Sequence, residues 1–156
     1  MADTCCIYTV AGLTINAASG DCLHTDFDEG EIAGLDGRPI RKQIDPQGQS
    51  DGGIVHTALY GPRIITFSGR VLIRSVDLTN PSSYAAAINV VEAASISALE
   101  GALNSATNLA WTPTGGSAKT LSVTYGTEGG EIQFFGNMLD RRFSFTLVAA
   151  DPAISG

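Results

Sequence analysis

The chain has 156 residues, enough for one domain with a hydrophobic core of its own. Its 18 glycines and 7% aromatic residues indicate many short elements joined by turns, which argues against a helical bundle. The net charge of −7, without a basic stripe, argues against sequence-specific nucleic-acid binding. The sequence shows neither an apolar run that would span a membrane nor a Sec-type signal, so we expect folding in the cytosol.

The three cysteines do not form a recognisable pattern. Cys5 and Cys6 are adjacent, and Cys22 is the only other one, which fits neither a disulfide framework nor the spacing of zinc ligands. We expect idle or buried thiols, and a Cys6–Cys22 bridge between neighbouring strands is the alternative. The cysteine usage is typical of a reducing compartment.

Charge is divided between two segments of the chain. Residues 1–37 contain seven acidic residues and no lysine or arginine, whereas residues 38–74 contain six basic residues against Asp45 and Asp51. Oppositely charged segments attract each other within one molecule or between neighbouring copies. The sequence leaves both arrangements open.

The first third of the chain predicts short strands and one long loop. Residues 7–10 and 13–15 are the first two strands, and Asp36-Gly37 between extended runs 31–35 and 38–44 predicts a β-hairpin with a type I′ turn. Residues 45–53 are polar and contain one proline and three glycines, which predicts an extended loop that a partner holds.

His24, Asp26 and Asp28 alternate along a predicted strand in this region. Side chains two residues apart on a strand lie about 6.6 Å from each other, which is wide for three ligands of one ion. We therefore expect a solvated strand face, and neither a metal nor another cofactor.

Residues 61–74 predict the central strand. Ile65, Phe67 and Val71 share one face with Gly69, where we expect the strand to bend and serve two packed sheets. Ile64 and Leu72 interrupt the polar face, which is compatible with scattered exposed residues or with a partner surface.

One helix and a second group of strands follow. Asn80 is a predicted N-cap, Pro81 suits the first helical position, and residues 82–104 are the predicted helix. Its apolar stripe is predicted to contain Tyr84, Ile88, Val91, Ile96, Leu99 and Leu103. Strands are predicted at 109–112, 119–125 and 131–139, and a central last strand from Asp140 to Ala149. The fold class is therefore mainly β (α+β): a two-sheet β-sandwich or barrel of antiparallel strands with one long packed helix, in one domain covering residues 1–156.

Motifs of catalysis are missing from the sequence. It has no G-x-S-x-G, no phosphate loop, no H-E-x-x-H and no dinucleotide fingerprint, and its only histidines are His24 and His56. We expect no enzymatic activity. A hydrolase with dispersed carboxylates and a monomeric carbohydrate-binding β-sandwich built around Trp111 are the alternatives from other functional classes.

An ordered series of segments resembles a known family. The strand GPRIITFSGRV at 61–71, the helix after Asn80-Pro81, the hairpins beyond Trp111 and the closing FSFTLVAADP at 143–152 together resemble the belt domain of the distal tail proteins of long-tailed bacteriophages. The resemblance implies a structural virion protein, six copies of which form a ring between the tail tube and the tail tip or baseplate. A tail tube subunit that polymerises into stacked rings is the alternative within this class.

The resemblance also implies partners and a location. The expected partners are other copies of the chain, the tail tube protein and hub or tape-measure-associated proteins, in a virion tail assembled in the host cytoplasm, with DNA passing through an acidic bore. The receptor-binding domain that larger relatives carry is not expected. Subunit contacts are predicted at the acidic segment, the polar loop and nearby basic residues: Asp26, Asp28, Glu29, Glu31, Arg38, Arg41, Pro46, Gln47, Gln49, Asp51 and Arg63.

Overall fold

The structure is a computed structural model that describes residues 6–25, 32–46, 53–55, 57–77, 79–126 and 131–156. The described residues form thirteen strands and one helix. The strands before the helix are β1 (Tyr8–Val10), β2 (Leu13–Ile15), β3 (Cys22–His24), β4 (Ile32–Ala33), β5 (Ile40–Arg41), β6 (Ile44–Pro46), β7 (Gly53–Val55), β8 (Leu59–Tyr60) and β9 (Arg63–Leu72). Then come α1 (Pro81–Glu100), β10 (Thr107–Trp111), β11 (Lys119–Tyr125), β12 (Gln133–Phe135) and β13 (Arg142–Ala149).

Seven strands close into a barrel in the order β13, β11, β10, β1, β2, β3 and β9, with β9 pairing back to β13. All of these pairings are antiparallel except that of β2 and β3, which run parallel where Ile15 faces Leu23. The predicted mainly β fold with one packed helix is therefore confirmed, and the barrel is mixed rather than wholly antiparallel. Closure gives each barrel strand two neighbours, which protects sheet edges from unwanted pairing.

A buried asparagine allows the parallel pairing. Asn16 follows β2, adopts a left-handed φ of 63° and is 4% exposed. Its amide oxygen accepts the backbone N–H of Thr25 at 2.8 Å, and its amide nitrogen donates to the carbonyl of Cys6 at 3.0 Å. The side chain thus links the start of β1 to the residue after β3, and its polar groups are satisfied although they are buried.

The predicted central strand is β9. Its buried positions alternate as expected, because Ile65, Phe67, Gly69 and Val71 face the interior. One edge pairs with β13 from Arg63 to Arg70, and the other pairs first with β4 at residues 66–67 and then with β3 at residues 70–72. The last strand, β13, is central as predicted, since it pairs with β9, β11 and β12.

Aromatic rings fill the interior between these two strands. Phe67 and Phe145 stack with ring centroids 5.2 Å apart, and Phe143 lies 6.0 Å beyond Phe145. Tyr8 meets Phe67 edge-to-face at 5.5 Å. Such pairs stabilise a core by about 0.5–1.5 kcal/mol each beyond their buried area.

The helix begins as predicted but ends earlier. The Asn80 side chain accepts the N–H of Ser83 at 3.3 Å, with Pro81 at the first turn. The helix ends at Glu100 instead of residue 104, because the chain then turns inward at Ala102, which is 1% exposed and accepts the N–H of Tyr125.

The predicted apolar stripe of the helix is correct only in part. Ile88 and Leu99 are buried, whereas Ile96 is 37% and Leu103 is 51% exposed. Ser95 takes the buried position instead, and its hydroxyl donates to the Val91 carbonyl at 2.7 Å. Burying a small serine costs little free energy when its hydroxyl donates to a carbonyl of the same helix.

The hairpin predicted at Asp36-Gly37 is wrong. β4 pairs with β9, whereas β5 pairs with β8, so the two runs that flank the turn do not pair with each other. The chain turns at Gly34 instead, at a φ of 92°, where an added Cβ would lie 1.9 Å from the carbonyl oxygen of Ile64. The strand predicted at 131–139 is also shorter than expected. It covers only Gln133–Phe135, after which the chain turns.

Candidate assembly interface

The described residues between 40 and 60 form a two-stranded arm. In its described part, β5 pairs with β8, and β6 pairs with β7, and neither pair joins the barrel sheet. The ends of the predicted polar loop belong to this ribbon, since Pro46 faces Gly53, and residues 47–52 lie outside the described residues. An isolated two-stranded ribbon is marginally stable in water, so a surface that covers the arm would stabilise it.

Large apolar side chains cover the arm. Five of them are each more than half exposed, namely Ile40, Ile44, Val55, Leu59 and Tyr60. Single exposed aliphatic residues are ordinary, but a group of this size on one small element is not. The group occupies both faces of the ribbon, since Ile40 is paired with Tyr60 on one face and Leu59 with Arg41 on the other.

The base of the arm is also basic. Arg38, Arg41 and Lys42 are all exposed, and the Arg38 guanidinium lies 5.0 Å from the ring centroid of Tyr60, in a cation–π contact. The Arg41 side chain crosses Gly61, with its Cδ 2.9 Å from the position that a Cβ would occupy there. The arm therefore presents apolar and positive groups side by side.

Arg63 anchors the root of the arm to the barrel. It is 2% exposed, and its Nη1 donates to the carbonyls of Gly34 and Asp36, both at 2.7 Å. Its Nη2 donates to the carbonyl of Pro152 at 3.3 Å, while its Nε is buried without a hydrogen bond. The side chain that the sequence predicts at a subunit contact is thus enclosed by its own chain, where it fixes the direction in which the arm leaves.

The other predicted contact residues fall into two groups. Arg38, Arg41 and Pro46 belong to the arm or its base. The acidic segment and most of the polar loop lie outside the described residues: Asp26, Asp28, Glu29, Glu31, Gln47, Gln49 and Asp51. For both groups a contact with another subunit stays a prediction.

A second group of exposed apolar side chains lies on β12 and the turn after it. It consists of Phe135, Met138 and Leu139, of which Leu139 is 83% exposed. We call it the helix–turn patch, because Met138 lines a cavity with Ala85 and Ile88 in the first half of α1. The sequence predicts a strand through Met138 and Leu139 and gives no sign of this exposed turn.

The turn that carries Met138 and Leu139 is fixed in place. The Asn137 side chain accepts the N–H groups of Leu139 at 3.0 Å and Asp140 at 2.9 Å. Arg141 forms an ion pair with Glu92 of the helix at 2.5 Å and donates to the Gly136 carbonyl. The turn therefore presents Leu139 to solvent, whereas Met138 also faces the helix, where it lines a cavity with Ala85 and Ile88.

Two acidic residues lie near the end of the helix, at Tyr125. Glu100 ends the helix, whose last turn contains no basic residue, so its carboxylate adds to the negative end of the helix dipole. Burial raises the pKa of Tyr125, and the charges of Glu131 and Glu100 raise it further, so both carboxylates lie near the same phenol.

The cleft next to Trp111 is the place for the carbohydrate-binding alternative. Its volume is about 490 Å³, and Cys6, Thr9 and Lys119 are among its lining residues. Trp111 itself is 8% exposed and stacks on Tyr8 at 6.1 Å, so its ring belongs to the core and offers little face to a sugar. Burial, with a smaller effect of Cys6, raises the pKa of Tyr8 to about 12, so its phenol stays protonated at neutral pH.

In the described part of the chain, no three metal-ligating side chains lie together, and no helix is long and apolar enough to cross a bilayer. Cys6 and Cys22 are free thiols, so the alternative of a bridge between them is wrong.

The fold thus defines a class: a closed mixed β-barrel with one packed helix and a projecting two-stranded arm. No protein-family model and no curated protein matches the chain. Among solved structures, the chain is similar to SPP1 Dit (gp 19.1), described as a paradigm of the hub adsorption apparatus in phages that infect Gram-positive bacteria.

The similarity to SPP1 Dit covers nearly all of this chain. The TM-score is 0.62, the sequence identity is 11%, and the match covers 96% of this chain and 51% of the Dit chain. This chain therefore spans about half the length of that protein. At 11% sequence identity the likeness shows the fold alone. As a likeness of fold, it confirms the resemblance to distal tail proteins.

Proposed function

We propose that this chain is a structural protein of a bacteriophage tail, which assembles as a ring, most simply a hexamer, at the distal end of the tail. The observation that carries the proposal is the match of 96% of the chain to SPP1 Dit. The arm supports it independently, because a projecting ribbon with exposed apolar and basic residues has the properties of an assembly element.

In this role the ring joins the tail tube to the tail tip or baseplate. Its partners are further copies of the chain, the tube protein and hub or tape-measure-associated proteins, and the assembled virion is its location. DNA passes through the ring without sequence-specific contacts, in keeping with the net charge of −7. The work of the protein is then assembly rather than catalysis.

The test is the mass and shape of the purified protein. Light scattering over a range of concentrations, followed by negative-stain imaging, is expected to give closed rings whose mass is a multiple of 16.2 kDa. Long tubes would favour the tube subunit instead. A single-chain mass at every concentration would contradict self-assembly and would favour the ligand-binding alternative, which glycan binding at the Trp111 cleft would then check.

A further inference from the structure

The cleft beside Trp111 differs in charge from the protein as a whole. Its volume of about 490 Å³ is in the range of small-molecule pockets, roughly 300–1,000 Å³. The chain has a net charge of −7, yet none of the described residues that line the cleft is acidic, and Lys119 is basic. The cleft therefore offers a positive charge on a negative protein, which favours an anionic ligand.

Lys119 also differs from the other cations of the barrel. The arginines there all have interaction partners: Arg63, Arg70, Arg74, Arg141 and Arg142. Lys119 is half-buried, and its ammonium forms neither a hydrogen bond nor an ion pair with the described residues. An ammonium in a partly dehydrated site attracts an anion more strongly than one in open water does. Lys119 is thus available to a ligand.

Threonine hydroxyls line the same cleft. They belong to four exposed residues, namely Thr9, Thr112, Thr114 and Thr120. A hydroxyl both donates and accepts hydrogen bonds, so it can pair with a ligand hydroxyl in either direction. Because Trp111 is only 8% exposed, its ring cannot serve as a stacking surface. Recognition in this cleft therefore depends on charge and hydrogen bonds.

The walls of the cleft are fixed by the protein's own hydrogen bonds. The turn between β10 and β11 is closed by a bond from the Gly116 N–H to the Pro113 carbonyl at 2.9 Å. The backbone of Thr120 exchanges two hydrogen bonds of 2.9 Å with Ser155, near the end of the chain. A preformed site loses little conformational entropy when it binds a ligand.

We propose that this cleft binds a hydroxylated anion, namely a sugar that carries a carboxylate or a phosphate. The anionic group pairs with the Lys119 ammonium, and the sugar hydroxyls bind the threonine hydroxyls. The inference goes beyond the proposed tail ring and does not depend on it, because the cleft shares no residue with the arm.

The experiment measures ligand binding to the full-length protein by saturation-transfer difference NMR, which observes the ligand and therefore also works with a large ring. Glucuronate supplies a carboxylate, glucose 6-phosphate supplies a phosphate, and glucose is the uncharged reference. We expect saturable binding of at least one acid, with a Kd on the order of 1 mM and at least about ten times tighter than that of glucose. The comparison of the two acids shows which anionic group the cleft prefers.

Variants of the two lysines locate the site. Lys119→Ala and Lys42→Ala remove the same charge, one in the cleft and one at the base of the arm. Lys119→Ala is expected to weaken binding of the acid at least about tenfold, whereas Lys42→Ala binds as the wild type does. Lys119→Arg keeps the charge and is expected to retain most of the affinity. Far-UV circular dichroism and the thermal midpoint show that each variant is folded.

Four results would overturn the site: no saturable binding of either acid, equal binding of glucose, an unchanged affinity in Lys119→Ala, or an equal loss in Lys42→Ala. The last of these would show a general attraction of the acid to basic residues. The ring proposal is decided by the mass and shape of the protein, so it stands or falls separately from all four.

Discussion

Gly69 shows how one residue permits the barrel to close. It lies on β9 where the partner strand changes from β4 to β3, and a Cβ at this position would be 2.0 Å from the carbonyl oxygen of His24. Its φ is not in the left-handed region, so glycine is required here for space and not for backbone conformation. The two strands can approach each other only because the side chain is absent.

We predict that Gly69→Ala lowers the free energy of unfolding by about 1–3 kcal/mol, because β3 and β9 must move apart to admit the methyl group. Gly37→Ala is the matched control, since nothing lies within 4 Å of its added Cβ and its φ is not left-handed. There the stability is expected to stay the same or to rise by up to about 1 kcal/mol.

Urea unfolding followed by far-UV circular dichroism measures both substitutions. A type I′ turn at Asp36-Gly37 would instead need a left-handed Gly37 and would make Gly37→Ala destabilising. The pair therefore tests the tight strand contact and the corrected turn together. Equal stabilities of the two variants would contradict the close approach at Gly69.

At the scale of elements, the sequence predicts what depends on local pattern. The alternation of β9 and β13, the hairpin of β10 and β11 and the Asn80 cap follow from periodicity and capping chemistry, and the structure has them. The turn at residues 34–37 does not follow from local pattern, because Asp-Gly is a strong hairpin signal on its own. Arg63, far along the chain, binds the carbonyls of Gly34 and Asp36 and overrides it.

The features proposed for assembly follow from the sequence only in part. The uneven charge distribution singles out Arg38 and Arg41, and their contact with another subunit stays a prediction. The exposure of Ile96 does not follow from the sequence, because a helical stripe fixes which residues share a side of the helix but not which side packs on the barrel. Ser95 and Ile96 are neighbours in sequence, and only tertiary packing decides that the serine is buried and the isoleucine exposed.

We predict that Arg63→Met loosens the root of the arm more than the barrel. Hydrogen bonds to a charged donor stabilise by about 1.5–3 kcal/mol each. Losing those to the carbonyls of Gly34 and Asp36 is therefore expected to raise the equilibrium constant for local opening of the arm's root by about tenfold or more. Amide hydrogen exchange by mass spectrometry would show faster exchange in peptides covering residues 32–41 and 57–64, with β10 and β11 unchanged.

Two companion variants make this prediction specific. Arg70→Met removes an exposed arginine from the same strand and is expected to leave the root of the arm protected. Arg63→Lys keeps the charge but not the fork geometry that reaches several carbonyls at once, so it is expected to be intermediate. Uniformly faster exchange across the whole barrel would contradict a local role for Arg63.

At the scale of the whole molecule, the basic part of the uneven charge distribution lies at one place. Arg38, Arg41 and Lys42 are exposed at the base of the arm. Of the seven acidic residues in 1–37, the structure describes only Asp21 and Asp36. Complementary charges on neighbouring copies favour one relative orientation over the reversed one, so the basic base of the arm predicts an acidic surface on its partner.

We predict that the double charge reversal Arg38→Glu with Arg41→Glu weakens self-association at least about tenfold at 0.1 M salt. Raising the salt to about 0.5 M is expected to reduce the difference from the wild type, since screening shortens the range of the attraction. Sedimentation velocity at both salt concentrations measures the effect. Arg70→Glu with Lys119→Glu is the control, because it changes the net charge equally on barrel strands. If the arm reversal left assembly as strong as this control does, the basic arm would have no part in the contact between copies.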